Sequence, residues 1–285
     1  MTLKDGTIVA EGLGFLEAPR WHDGQLWFSD FYSRRVSSVD ESGQVTPHVY
    51  VPGQPSGLGF LDDGTVLIVS THEAHLLRWN GTARVVVADI GAVYRGGLND
   101  MVVDRFGRAY ISTFPPPAIG QDHVDVASLP PVPIFMVDPD GAIKTVADDL
   151  KIANGMVITP DGGTLIVAET LGNRLLAYDI RADGTLENYR VFAEMGERQP
   201  DGICLDADGN VWVGCFSKSE FALIEDGGKV LRTIPTPGRW AVACALGGDD
   251  GKTLFGLTVR VTIEDYMDGR GEGTIMAYRV DAPAA

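Results

Sequence analysis

One unit recurs six times along the chain: a small polar residue leads an apolar strand, an acidic-Gly turn follows, and a second apolar strand completes it. It reads EAPRWHDGQLWFSD from Glu17, SGLGFLDDGTVLIVS from Ser56 and NDMVVDRFGRAYIST from Asn99. It returns as NGMVITPDGGTLIVAE from Asn154, DGICLDADGNVWVGC from Asp201 and, in degraded form, VACALGGDDGKTLFGLT from Val242. The intervals are 39, 43, 55, 47 and 41 residues, close to the spacing of roughly 40–50 residues that four-stranded propeller blades require. The longest interval holds an insertion, FPPPAIGQDHVDVASLPPVP, from Phe114 to Pro133. A second pair of strands follows each unit, as in NRLLAYDI, the turn RADGT and LENYRVFAE.

This pattern predicts an all-β, six-bladed β-propeller with four antiparallel strands per blade, formed as a single domain by residues 1–285. A β-sandwich would not require so constant a period. Thr7 to Phe15 is expected to supply the outer strand of the last blade and close the ring, leaving no sheet edge free. The 35 glycines sit in DG and GG turns rather than in low-complexity tracts, as many short strands demand.

The first strand of each propeller blade lines the central channel, so residues at the six lead positions converge on the axis. Here they are Glu17, Ser56, Asn99, Asn154, Asp201 and Val242. Two carboxylates and two carboxamides aimed at one point form an oxygen-rich cage that suits a hard divalent ion. Without a cation, Glu17 and Asp201 would repel each other and at least one pKa would rise. An ion with open positions can polarise a carbonyl or acidify a water. The plainer reading is polar strand ends wetted by channel water, since NG, ND and DG are common turn dipeptides.

EAPRW with Glu17, LND with Asn99, ANGM with Asn154 and PDGI with Asp201 together resemble the signature of the senescence marker protein/gluconolactonase/LRE-like family. The resemblance runs from about Glu11 to Arg279, with four separated motifs in order. It implies a six-bladed propeller with one divalent metal ion, Glu17, Asn154 and Asp201 as ligands, Asn99 as a substrate contact and Asp201 as the catalytic acid/base. The implied activity is hydrolysis of a small lactone. Ca²⁺ suits these ligands best, and Zn²⁺, Mn²⁺, Mg²⁺ or Fe²⁺ are alternatives. Sugar-lactonase members often carry Arg two residues before the blade 3 Asn; here that position is Gly97, and Arg95 is the nearest arginine.

Loops between the second and third strands of each blade open on the face of the lead residues and form natural pocket walls. The Pro-rich insertion, with Phe114 at its start, reads as an apolar lid or as a disordered segment. His72 is a second acid/base or a wall residue. Thr113, Phe114, Phe216 and Trp240 supply either an apolar wall or packing between blades, and Arg260 lies at the rim of the last blade. Arg95, His72 and Phe114 therefore join Asn99 as candidate substrate contacts. Loss of the family arginine and an apolar lid favour a less polar substrate than a fully hydroxylated sugar lactone.

Composition narrows the partners. Asp and Glu number 39 against 23 Lys and Arg, a net charge of −16, which disfavours nucleic acid and anionic membranes. No apolar stretch reaches the roughly 18 residues that would span a bilayer. Three cysteines without a CxxC pair argue against a disulfide framework and fit a cytoplasmic protein. The expected partner is a small-molecule substrate; oligomeric state is open. The competing functions are another reaction at the same cage, such as phosphotriester hydrolysis or dehydration, and a non-catalytic calcium-binding propeller.

Overall fold

A computed structural model describes residues 6–116 and 128–285, with no side-chain description for Met267. Six four-stranded antiparallel sheets make six blades of a β-propeller. Blade 1 consists of β2 (Leu16–His22), β3 (Gln25–Asp30), β4 (Arg35–Val39) and β5 (Val45–Tyr50). Blades 2 to 5 repeat that order, beginning with β6 (Pro55–Phe60), β10 (Leu98–Val103), β14 (Ala153–Ile158) and β18 (Pro200–Leu205). Blade 6 takes β22 (Trp240–Gly247), β23 (Thr253–Arg260) and β24 (Glu272–Arg279) from one end of the chain and β1 (Thr7–Leu13) from the other. The N-terminal strand is the outermost of that sheet, as the sequence predicts, with Thr7 opposite Ala277 and Glu11 opposite Thr274.

Each innermost strand packs on the next, from β2 through β6, β10, β14 and β18 to β22 and back to β2. A sheet covered on both faces needs apolar residues at successive positions, not alternate ones. Val66–Ser70 and Val211–Cys215 are accordingly buried along their whole length. The core is divided among the blade interfaces. Leu58, Ile68 and Leu77 of blade 2 meet Ala18, Val36 and Val51 of blade 1, and Trp212 and Phe221 of blade 5 meet Leu246 and Leu254 of blade 6. Burying one such Leu or Ile is worth about 1.5–3 kcal/mol, so each interface contributes through several side chains.

The innermost strands approach closely enough to dictate sequence. A Cβ on Gly155 would lie 2.7 Å from both Asp201 O and Ile203 N, and one on Gly202 would lie 2.3 Å from the Ala243 Cβ. Small residues directly after the lead position are therefore a packing requirement in blades 4 and 5. Pairing between the first two strands also slips at or just after the lead residue in every blade. Such bulges bend a strand and re-aim its side chains. In blade 1 the bend includes Ala18 at φ 46°, a left-handed conformation that costs an alanine about 1 kcal/mol.

Candidate functional site

The bulges set the lead side chains at one end of the channel, and the hydrogen bonds there fix which atoms are free. Asn99 and Asn154 are 3 % and 8 % exposed, and Asp201 is 8 % exposed. The Asn99 amide donates from Nδ2 to Ala153 O at 3.4 Å and accepts from Ser56 Oγ at 3.5 Å. The Asn154 amide donates from Nδ2 to Thr170 Oγ1 at 3.3 Å, and Thr170 in turn donates to Pro200 O at 2.8 Å. That orientation leaves Asn154 Oδ1 available as an acceptor. Ser56 is held from below, its carbonyl accepting from Ser29 Oγ at 2.6 Å.

The carboxylates crowd one another. Burial, then Asp201 and Asp100, push the Glu17 carboxyl well above its usual range, with Arg20 and the Ala18 N–H opposing. Burial and Asp100 raise Asp201 to about 8, although the Asn154 amide and the Gly202 N–H favour its ionised form. Asp100 itself is raised by burial, against the pull of Arg20. Arg20 is the cation that meets this group directly, and its Nη2 is spent 2.9 Å from Asp100 and 2.6 Å from Met101 O. The buried Asp201 carboxyl and the half-buried Glu17 carboxyl, without a cation of their own and beside an amide oxygen, make an all-oxygen donor set that fits a hard divalent ion. Among the described residues no cluster of three or more His, Cys, Asp or Glu side chains forms a metal site; the donors here are two carboxylates and carboxamide oxygens.

The sequence profile of the SMP-30/Gluconolactonase/LRE-like region matches residues 15–260. The chain belongs to this family. Among its relatives is the 6-deoxy-6-sulfogluconolactonase of Pseudomonas putida, 25 % identical over 276 residues, covering 94 % of this chain and 91 % of that protein. The fold also matches that of a luciferin-regenerating enzyme, with a TM-score of 0.82 at 18 % identity over 99 % of this chain and 98 % of that one. A calcium-binding protein, regucalcin, from Agrobacterium tumefaciens superposes with a TM-score of 0.77 at 20 % identity, covering 100 % of this chain and 98 % of that one.

Within this member of the SMP-30/gluconolactonase/LRE-like family, the remaining candidates lie at different distances from the cage. Phe114 is half-buried beside Gly97: its N–H donates to Gly97 O at 2.8 Å, and its ring is 3.6 Å from where a Gly97 Cβ would project. Arg95 is exposed and turns back on its own loop, donating to Gly91 O at 3.4 Å rather than to the cage. His72 stands at the rim with its ring centroid 5.9 Å from that of Phe31, and partial burial and Arg34 hold it below its ordinary pKa. The neutral imidazole is thereby favoured near pH 7. Arg260 is exposed and paired with Glu272 at 3.3 Å. Residues 117–127 of the proposed lid lie outside the described residues.

Three residues at the site escape the repeat-based reading. Asp100 sits where the other blades carry Ala18, Gly57, Gly155, Gly202 and Ala243, and an acid at a small-residue position was the available signal. Tyr32 and Tyr266 come from rim connections. Tyr266 lies on α1 (Ile263–Met267), a one-turn helix fixed by a Thr262–Asp265 capping box. Burial, then the charges of Glu17 and Asp201, push its phenol above the ordinary tyrosine value, so Tyr266 lies within electrostatic reach of both carboxylates.

Proposed function

We propose that the chain is a metal-dependent hydrolase that opens a small lactone. The observation that carries this reading is the union of Glu17, Asn154 and Asp201, two uncompensated carboxyls and a free amide oxygen, at the open end of the channel. Membership of a gluconolactonase-containing family and the relative named 6-deoxy-6-sulfogluconolactonase support the substrate class. A calcium-binding structural neighbour supports the cofactor.

Glu17, Asn154 and Asp201 would hold the ion through their oxygens. When bound, a divalent ion supplies the positive charge that keeps both carboxylates ionised and draws electron density from a lactone carbonyl. Asp201 takes a proton from the attacking water and returns it to the ring oxygen as the C–O bond breaks. Its carboxylate is a weak base, which suffices because ring strain lowers the barrier of a lactone. Asn99, anchored between Ser56 and Ala153, positions the substrate. Phe114 and the aromatic rim exclude water from one side.

The test is a lactone panel followed by acid release, using protein stripped with chelator and then reloaded with Ca²⁺, Mn²⁺ or Zn²⁺. Metal-dependent release with at least one lactone is expected. Full activity in protein shown by elemental analysis to be metal-free would refute the reading.

A further inference from the structure

The six lead positions are unequal. Five are polar, and the sixth, Val242, is apolar and 1 % exposed. It anchors a cluster at the rim with Phe15, Ala243 and Val259, onto which Phe31, Tyr32, Trp240 and Tyr266 pack. Each of the six interfaces between blades has its own apolar cluster. This seventh is a second cluster across the seam between blades 6 and 1, which, among the described residues, the other five interfaces do not have.

Ring contacts join it into one arc. Phe216 meets Trp240 at 5.4 Å, Trp240 meets Tyr266 at 5.8 Å, and Tyr266 meets Phe15 at 5.2 Å. Phe15 then meets Tyr32 at 5.5 Å. Trp240, Tyr266 and Tyr32 are only half-buried, so each keeps ring surface free. The arc is fixed by a hydrogen bond from Tyr32 Oη to Tyr266 O at 3.3 Å, and α1 occupies one of the two long connections between second and third strands. Neighbouring cations are engaged elsewhere: Arg239 and Arg260 both pair with Glu272. Half-exposed aromatic faces beside convergent polar groups are the makeup of a ligand pocket.

We propose that the blade 6 side of the channel mouth is an apolar subsite that receives an aromatic or bulky alkyl substituent of the substrate, while its reacting polar group lies over Glu17, Asn154 and Asp201. The subsite rests on the lactone reading for the identity of that polar group, but its apolar preference is measurable without catalysis. Flat substituents stack on Trp240 and Tyr266; a polyol would leave its hydroxyls unpaired against the rings.

Calorimetry on the calcium-loaded protein with two non-hydrolysable lactams, 2-pyrrolidinone and 5-phenyl-2-pyrrolidinone, reads the subsite directly. The phenyl compound should bind about tenfold tighter or better. In hydrolysis, γ-phenyl-γ-butyrolactone should be preferred to γ-butyrolactone by a similar factor. Trp240→Ala should cut both ratios at least threefold, and Tyr32→Leu provides the same test if the first variant folds poorly. Equal binding of the two lactams, or ratios unmoved by both folded variants, overturns the subsite even if lactones are hydrolysed. Tighter phenyl-lactam binding that depends on Trp240, in a protein that opens no lactone, upholds the subsite and refutes the lactonase reading.

Discussion

Arg20 of blade 1 reaches the carboxylate of Asp100 on blade 3, Nη2 to Oδ1 at 2.9 Å, and the same nitrogen donates to Met101 O. The pair ties together two blades that are not neighbours in the ring, and both partners come from innermost strands. Breaking a buried pair leaves a charge without a partner, at a cost of about 3–5 kcal/mol. Arg20→Met should therefore destabilise the protein by about 3 kcal/mol in urea denaturation. Adding Asp100→Asn should recover most of the loss. A single variant as stable as the wild type would show that the pair is not needed.

In the proposed mechanism, Asp201→Asn would keep an oxygen near the ion and remove the base. We expect kcat to fall about 10²-fold or more, with partial metal retention. Glu17→Gln should weaken metal binding first, with activity recovered at high metal concentration. Identical behaviour of the two variants at saturating metal would refute this division of labour.

The metal-free protein should have a distinct pH dependence. Asp201 rises from an ordinary value near 4 to about 8 on folding, so the folded state holds the proton more tightly than the unfolded chain. Its contribution to stability is complete below about pH 4 and is lost as pH rises toward 8. In chelator, the wild-type Tm should drop by several degrees relative to Asp201→Asn between pH 5 and 8, and Ca²⁺ should remove the difference. A parallel pair of melting profiles would contradict the shift.

Gly97 has room for a side chain. A Cβ there would stand 3.6 Å from the Phe114 ring and from Thr71 Cγ2, an ordinary contact, and its φ is not left-handed. Gly97→Arg should place a fork of donors beside Asn99 and raise kcat/KM for gluconolactone relative to an alkyl- or aryl-substituted lactone. An unchanged ratio in a folded, metal-loaded variant would separate Gly97 from selectivity.

The propeller was legible because its blades repeat and each turn carries its own Asp or Gly chemistry, a local signal. Thr7–Leu13 could be assigned to the last blade because an open edge is costly and a ring has one place to put it. The lead residues could be found by alignment of the copies. Side-chain direction was not legible in the same way: Arg95 lies close to Asn99 in sequence, yet its guanidinium returns to Gly91. The Arg20–Asp100 pair joins positions 80 residues apart, and no repeat register marks it. Tyr266 reaches the site through a turn of α-helix in a connection, and no other connection among the described residues carries one.

The pairing of Thr7 with Ala277 joins residues about 270 positions apart in sequence. Glu17 follows that strand directly, so the stretch that seals the ring also carries a carboxylate of the cage. Pairings this remote in sequence bear the largest closure entropy and form late. A ribosome must therefore deliver β24 before the seam can zip. Glu17, Asn154 and Asp201 stand on the innermost strands of blades 1, 4 and 5, so the three side chains converge only in a chain whose ring has closed.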